Sequence, residues 1–307
     1  MSGEQGDPDL GSSGPGLAGP LAASPIPKER GEDAQRRRGA VREFFIALQF
    51  FTRTPVTGWL ADWVGFSPAM LRASAAHFPG VGWVVGGLSA LVFLGLAHAL
   101  PGEPASVWVA AVLSTAFSVW LTGAFHEDGL ADTADALGGA VSRKRALEIM
   151  KDSRIGSYGA VGLLLAVLAK IGLLALLAEI SVNLAVLALF GAHVSSRLLP
   201  LVVIRTLPHV GDAAQSKSKP LADTIGAGGL LVALLWWLPA MGLVWWGAPG
   251  WHWLLALAGA LLGLGWMWHV LRQRLQGFTG DGLGATQQLS ELGFYLGLAL
   301  ALGQGAT

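Results

Sequence analysis

The sequence predicts an all-α, polytopic membrane helical bundle with about seven transmembrane helices. Three observations carry that prediction. Of 307 residues, 53% are hydrophobic and 13% charged, and the mean hydropathy is +0.55. Several apolar runs approach the ~20 residues a helix needs to cross a bilayer. Glycine supplies 43 residues, about twice its usual ~7% share, and membrane helices use it to bring backbones close. The net charge is zero, which offers no electrostatic footprint for a nucleic acid. There is no cysteine, so thiolate metal sites and disulfides are excluded, leaving oxygen and imidazole ligands.

The elements follow in order. Residues 1–40 are rich in Gly, Pro and Ser and lack any hydrophobic period; they predict a disordered N-terminal tail. No apolar core follows a basic start, so the tail does not read as a signal peptide. An integral membrane catalytic domain is expected over 41–307. Residues 41–51, "VREFFIALQFF", are too short to span and suit a buried or interfacial helix. Spans are predicted at 78–100, 105–124, 159–177, 182–204, 227–247, 251–270 and 287–303, the last having the weakest signal.

Seven spans fix an orientation. With a cytoplasmic N-terminus, the connections 101–104, 178–181 and 248–250 lie outside, and they contain no Lys or Arg. Of the 20 basic residues only Lys170 and Arg197 fall within spans; all others lie on the cytoplasmic side, as the positive-inside rule requires. Trp245, Trp246, Trp251 and Trp253 bracket the third outside connection and suit an interfacial aromatic belt. The long polar loops therefore face the cytoplasm, and so does the chemistry.

One such loop, "HEDGLADTADALGG" (126–139), holds Glu127, Asp128, Asp132 and Asp135 with no Lys or Arg among them. Asp128, Asp132 and Asp135 are spaced i, i+4, i+7 and share one helix face. Like charges at that spacing destabilise a helix by about 0.2–0.5 kcal/mol per pair, and a divalent cation reverses the sign. Hard oxygen ligands point to Mg²⁺ or Mn²⁺. The bland reading is a solvated acidic helix start, but a whole face of acids exceeds what a helix terminus needs. Glu127 lies off that face. His126 reads equally as a base, a ligand or an interfacial side chain.

Two glycine-punctuated loops accompany it. "MKDSRIGSYGA" (150–160) offers Lys151, Ser153, Arg154, Gly156, Ser157 and Gly159 just before a span. Cations, hydroxyls and amides at a helix N-terminus suit an anion; the alternative is a plain junction at the lipid headgroups. "GFTGDGLGATQQ" (277–288) places Asp281 among Gly280, Gly282 and Gly284. Lys170 and Arg197, costly in a membrane by about 2.5–3.5 kcal/mol each, are expected to face a bundle interior or cavity; the alternative is snorkelling to the interface, which suits Arg197 better than Lys170. Glu291 is a candidate partner for either. His98, His193, His252 and His269 read as structural. A carboxylate–metal centre, anion loops and buried cations together suit phosphoryl transfer.

"FHEDGLADTADALGG", "RALEIMKDSRIGSYGAVGLLLAVLAK" and "GFTGDGLGATQQLSEL" resemble the hallmark segments of the cobalamin synthase (adenosylcobinamide-GDP ribazoletransferase) family. "FFIALQFFTRTPV" and "FPGVGWVVGGLSALVF" resemble its N-terminal portion, so the resemblance runs from about Arg42 to the C-terminus. It implies a Mg²⁺-dependent enzyme of the bacterial inner membrane acting on adenosylcobinamide-GDP and α-ribazole or its 5′-phosphate. The products are GMP and adenosylcobalamin or its 5′-phosphate. On that reading Asp128, Asp132 and Asp135 hold the metal, and one of them or Asp152 accepts the hydroxyl proton. Arg154 and Lys151 hold the GMP leaving group, and Asp281 closes the other side. No role transfers to Lys217 or Lys219. The lipid bilayer is the expected surrounding, and a homo-oligomer is allowed for. Two other readings fit less well. A CDP-alcohol phosphotransferase needs a different acid spacing than "DGLADTAD". An ion-coupled transporter expects sites near the midplane and internal repeats.

Overall fold

The computed structural model describes residues 28–211 and 224–303, with 28–38 as backbone only. The chain divides into two units, Met1–Arg37 and Arg38–Thr307. Of the tail expected to lack regular structure, residues 1–27 lie outside the described residues, and a helix begins at Lys28. Lys217 and Lys219 also lie outside the described residues.

Helix α1 (Lys28–Phe51) takes in the apolar stretch 41–51 as its C-terminal part. With α2 (Trp59–Val64) and α3 (Pro68–Ala73) it closes a small core of Ile46, Val56, Val64 and Leu71. A 3₁₀ turn, Ser74–His77, runs directly into α4 (Phe78–Ala99), and α5 (Pro104–Thr122) returns. Two short helices follow at that end, α6 (Phe125–Gly138) and α7 (Arg143–Ile149). Then come α8 (Ser157–Ile180), α9 (Val182–Leu198) and its continuation α10 (Pro200–Thr206), offset at Pro200. The chain ends with α11 (Ala227–Gly247), α12 (His252–Val270), a π-helical turn over Leu271–Leu275, and α13 (Gly280–Gly303). Among the described residues there are no strands; one isolated bridge pairs His209 with Phe278.

The fold is thus all-helical, as predicted. Among the described residues, six stretches are long and apolar enough to cross a membrane: Pro68–Ala99, Pro104–Thr122, Ser157–Ile180, Val182–Thr206, Ala227–Gly247 and His252–Leu275. The seventh predicted span, 287–303, lies within α13, whose 24 residues reach about 36 Å. Its weak hydropathy has a physical cause. α13 sits against α6, α8, α9 and α12, and its Thr286, Gln287, Gln288, Ser290 and Glu291 are buried. A stretch of helix covered by its neighbours need not be apolar, and only farther along does α13 expose Leu296 and Leu300. By contrast α8 turns Val161, Leu164, Leu165 and Leu168 outward, and α12 exposes Leu261, Leu262 and Trp266.

Small residues set the helix seams. Gly259 on α12 meets Gly293 and Gly297 on α13, and one turn on Gly263 meets the Leu289 backbone. A Cβ on Gly293 would run into the Gly259 carbonyl, and one on Gly263 would sit 2.7 Å from the Leu289 carbonyl carbon. These opposed Gly-x-x-x-Gly pairs let the two backbones touch. Gly82 and Gly86 seat α4 on α9 in the same way, against His193, Val194 and Phe190. The aromatic belt needs one correction: Trp245, Trp246 and Trp251 are exposed, but Trp253 is buried and donates to the Ala248 carbonyl at 2.7 Å.

Candidate active site

The acidic helix α6 starts after two left-handed residues, Gly123 (φ 67°) and Ala124 (φ 60°), which reverse the chain out of α5. Its far end is closed by Arg274 from the π-helical turn, which donates to the carbonyls of Leu137 at 3.1 Å and Gly139 at 2.6 Å. A cation at a helix C-terminus satisfies free carbonyls and opposes the macrodipole. Arg143 in turn donates to the Leu275 carbonyl at 2.6 Å, fixing that turn.

α6 crosses the start of α13 at two glycines. A Cβ on Gly129 would lie 2.9 Å from the Asp281 carbonyl oxygen and 3.3 Å from the Gly284 Cα. A Cβ on Gly284 would lie 3.3 Å from the His126 carbonyl oxygen. The backbones therefore meet, and Asp281 comes beside Asp128 and Asp132. The electrostatics record that closeness. Burial, then Asp128, Asp281 and Asp135, push Asp132 up to about 7. Burial, then Asp128, push Asp281 up to about 6. Asp128 is exposed and the other two are half-buried, so the group forms a mouth rather than a core. Thr279 caps α13 beneath it, accepting from the Gly282 amide at 3.1 Å. Where Gly280 lacks a side chain the space is open, which leaves the approach to Asp281 clear.

Asp135 does something else. Its carboxylate accepts from the Gly156 amide at 2.6 Å and the Gly159 amide at 2.8 Å. It thereby caps the N-terminus of α8 from a neighbouring helix, and a Cβ at Gly159 would also strike the Ala131 carbonyl at 2.8 Å. The 150–160 loop was expected to offer Gly156 and its neighbours to a substrate anion. The anion held there is the chain's own. Asp152 and Arg154 also turn to each other: Arg154 Nη2 donates to Asp152 Oδ2 at 2.6 Å, and Nε to Oδ1 at 2.9 Å. Those bonds pull Asp152 down to about 2, which makes it a poor proton acceptor. Lys151, Ser153 and Arg154 are exposed on the same loop.

The buried cations are internal. Lys170 Nζ lies 2.7 Å from Glu291 Oε1, and both are buried. Arg197 donates to His193 Nδ1 at 2.9 Å and to the His193 carbonyl at 3.1 Å. Tyr295 and Gln287 complete the Glu291 carboxylate at 3.0 and 2.7 Å. Both charges face the bundle interior, as predicted, but they hold helices rather than an exposed anion. His126 is buried too, stacked on Phe51 with centroids 5.8 Å apart; burial, then Arg197, keep it neutral.

The sequence reading set Glu127 aside as lying off the acidic face and missed Gln287 and Gln288. Gln288 Nε2 donates to Glu127 Oε1 at 3.0 Å and to Gln287 Oε1 at 3.1 Å, a polar tie between α6 and α13. Its signal was available: "TQQLSEL" is a polar run inside a predicted span, and buried polar groups demand partners. Among the described residues no three His or carboxylate side chains converge to hold a metal on their own. Mg²⁺ does not require that. It takes one or two carboxylates, with waters and substrate phosphates completing the octahedron. Asp128 and Asp281 are oxygen donors of that kind, with Asp132 beside them under mutual repulsion.

A family model described as cobalamin-5-phosphate synthase matches residues 43–299. A relative from Polaromonas sp. (strain JS666 / ATCC BAA-500), named adenosylcobinamide-GDP ribazoletransferase, is 54% identical over 275 residues, 85% of this chain and 98% of the relative. Relatives of the same name come from Albidiferax ferrireducens, 55% identical over 276 residues (85% and 99%), and Leptothrix cholodnii, 50% identical over 260 (83% and 94%). No solved structure matches.

Proposed function

The chain belongs to the cobalamin-5-phosphate synthase family, and we propose from that premise that the mouth between α6 and α13 is its reaction centre. The activity is that of an adenosylcobinamide-GDP ribazoletransferase. A ribose hydroxyl of α-ribazole or its 5′-phosphate forms a bond to the phosphorus on the aminopropanol arm of adenosylcobinamide-GDP. The bond from that phosphorus to GMP breaks, and adenosylcobalamin or its 5′-phosphate results.

The observation that supports this centre is the glycine crossing, which gathers Asp128, Asp132 and Asp281, where burial and then the neighbouring carboxylates raise Asp132 to about 7. Asp128 and Asp281 are the residues to hold Mg²⁺ with the diphosphate. When bound, the ion supplies charge neutralisation on the transferring group and its leaving oxygen. Asp132, beside them, is the carboxylate placed to take the hydroxyl proton. Asp135 keeps the start of α8 against α6, so it positions the centre without touching the reactants. The Glu127–Gln288 tie holds α6 and α13 in register.

The reaction centre is proposed to face the cytoplasm. The connections at the opposite end, 100–103, 181 and 248–251, contain no Lys or Arg. Arg143, Lys144, Arg145, Lys151, Arg154, Arg205, Arg272 and Arg274 all lie at the acidic end, which supports an inside placement. The test is purified protein in bilayer nanodiscs with Mg²⁺, adenosylcobinamide-GDP and α-ribazole 5′-phosphate. GMP and a cobamide should form in equal amounts. Their absence, with turnover of a CDP-alcohol instead, would sink the reading.

A further inference from the structure

A chain of hydrogen bonds runs through the interior of the bundle, from the Lys170–Glu291 ion pair to the acidic helix. Glu291 Oε1 lies 2.7 Å from Lys170 Nζ and accepts from the Tyr295 hydroxyl at 3.0 Å. Glu291 Oε2 accepts from Gln287 Nε2 at 2.7 Å. Gln287 Nε2 also donates to Ser196 Oγ on α9 at 2.9 Å, and Gln287 Oε1 accepts from Gln288 Nε2 at 3.1 Å. Gln288 Nε2 gives its second hydrogen to Glu127 Oε1 on α6 at 3.0 Å. Every member is buried, none more than 8% exposed.

The donors have one workable order. Glu291, paired with Lys170, only accepts, and a side-chain amide has two N–H hydrogens and one oxygen. Gln287 must therefore turn its amide nitrogen to Glu291, which leaves its oxygen for Gln288. Gln288 then has both hydrogens engaged, one of them on Glu127. Without an acceptor at 291, Gln287 is free to turn over. Its nitrogen would then face the nitrogen of Gln288, and Gln288 would turn its oxygen against Glu127. The hold on Glu127 thus depends on a carboxylate two amides away.

The near end of this chain is the acidic mouth. Glu127 immediately precedes Asp128, and Gln288 follows Asp281 on the same helix, about two turns along. The far end is remote: Lys170 sits about 20 Å along α8 from Ser157. The Gly129–Gly284 crossing sets how closely α6 and α13 approach, but glycine has no side chain to stop them sliding or turning. A buried polar contact does that, as a single polar residue fixes the register of a coiled coil. Stability does not account for the ion pair, because buried pairs replaced by apolar side chains of similar volume are often no less stable.

We propose that Glu291, with Lys170 as its counter-charge, is a positioning residue for the reaction: through the set orientation of Gln287 and Gln288 it holds Glu127, and with it the register of α6 on α13 that places Asp128 beside Asp281. It touches neither reactants nor metal. This rests on the reaction centre proposed above.

The experiment compares two double variants in nanodiscs, both without the buried charges. Lys170→Met/Glu291→Gln keeps an acceptor oxygen for Gln287, and Lys170→Met/Glu291→Leu does not. Both should unfold near the wild-type thermal midpoint. The Gln form should keep kcat within about threefold of wild type. The Leu form should lose about tenfold in kcat at saturating Mg²⁺ with KM little changed, and should need about tenfold more Mg²⁺ for half of its thermal stabilisation. Gln287→Leu leaves the ion pair intact, breaks the same chain in the middle and should lose as much. Combined with Glu127→Leu, it should lose no more than the worse of the two single variants. Equal turnover by the two double variants overturns the proposal, as does a wild-type kcat and Mg²⁺ response in Gln287→Leu. Losses in Gln287→Leu and Glu127→Leu that multiply, or that simply follow the thermal midpoint, also overturn it, since these side chains would then act separately or only support the fold. A wild-type enzyme that makes no cobamide defeats the activity proposed above, a separate outcome in which the Mg²⁺ response still reads the chain.

Discussion

Asp132 and Asp135 lie on one helix face three residues apart, yet their environments separate their duties. Asp132 faces Asp128 and Asp281 and is raised to about 7, whereas Asp135 is held by two amides. The i, i+4, i+7 spacing made both legible as candidates. It carried no information on Gly156 and Gly159, 21 and 24 residues further along, so the cap was invisible. Two predictions belong here. A carboxylate raised in the fold binds a proton that the unfolded chain has lost, so stability falls as pH rises from about 4 through about 7. The thermal midpoint of metal-free protein should drop across that window. Mg²⁺ should restore it above pH 7 more than at pH 5, because binding expels the proton. Asp132→Asn should flatten both trends; an unchanged pH profile in that variant would remove Asp132 as their source. For Asp135, replacement by Ala removes a helix cap and should cost about 0.5–2 kcal/mol, measured by denaturant unfolding. Asp135→Asn, which keeps an acceptor oxygen, should recover most of that stability and most of the activity. Loss of activity without loss of stability in Asp135→Asn would instead make it a metal ligand.

Elements meet here through glycine, and the sequence showed the glycines without saying which backbones they join. The α12–α13 seam and the α6–α13 crossing are the informative pair. Gly293→Leu forces a side chain into the Gly259 carbonyl. Overpacking of this kind costs about 1–3 kcal/mol, and more where backbone is the obstacle, so the folded yield and thermal midpoint should both fall. Gly129→Ala should behave differently. Its smaller Cβ presses on the Asp281 carbonyl oxygen at 2.9 Å beside the acidic mouth, so activity should fall by more than tenfold and by more than the loss of stability explains. Equal losses in both variants would show that the crossing merely supports the fold. α13 itself was the weakest predicted span because its polar stretch, 286–291, is covered by other helices, while Leu296 and Leu300 are exposed. Its Gln287, Gln288 and Glu291 are the polar contacts that enclosure permits.

At the scale of the whole molecule, the alternation of long helices was legible from hydropathy and charge, and the bundle reproduces it. What was not legible is how one end is assembled: α6, α8 and α13 come from segments distant in sequence. Orientation is directly testable because the chain has no cysteine. Single cysteines introduced at 140 and 273 should react with an impermeant maleimide only from the cytoplasmic side, and those at 102 and 249 only from outside. Labelling of both groups from one side would contradict the topology. The central claim is that Asp128, Asp132 and Asp281 work as one centre between two helices. It is tested most directly by GMP release from adenosylcobinamide-GDP by the Asp281→Asn enzyme, compared with Asp132→Asn, in nanodiscs with saturating Mg²⁺. Both variants should fold as the wild type does and lose turnover by about 100-fold or more. Near-wild-type turnover by Asp281→Asn would separate α13 from the chemistry and contradict the account.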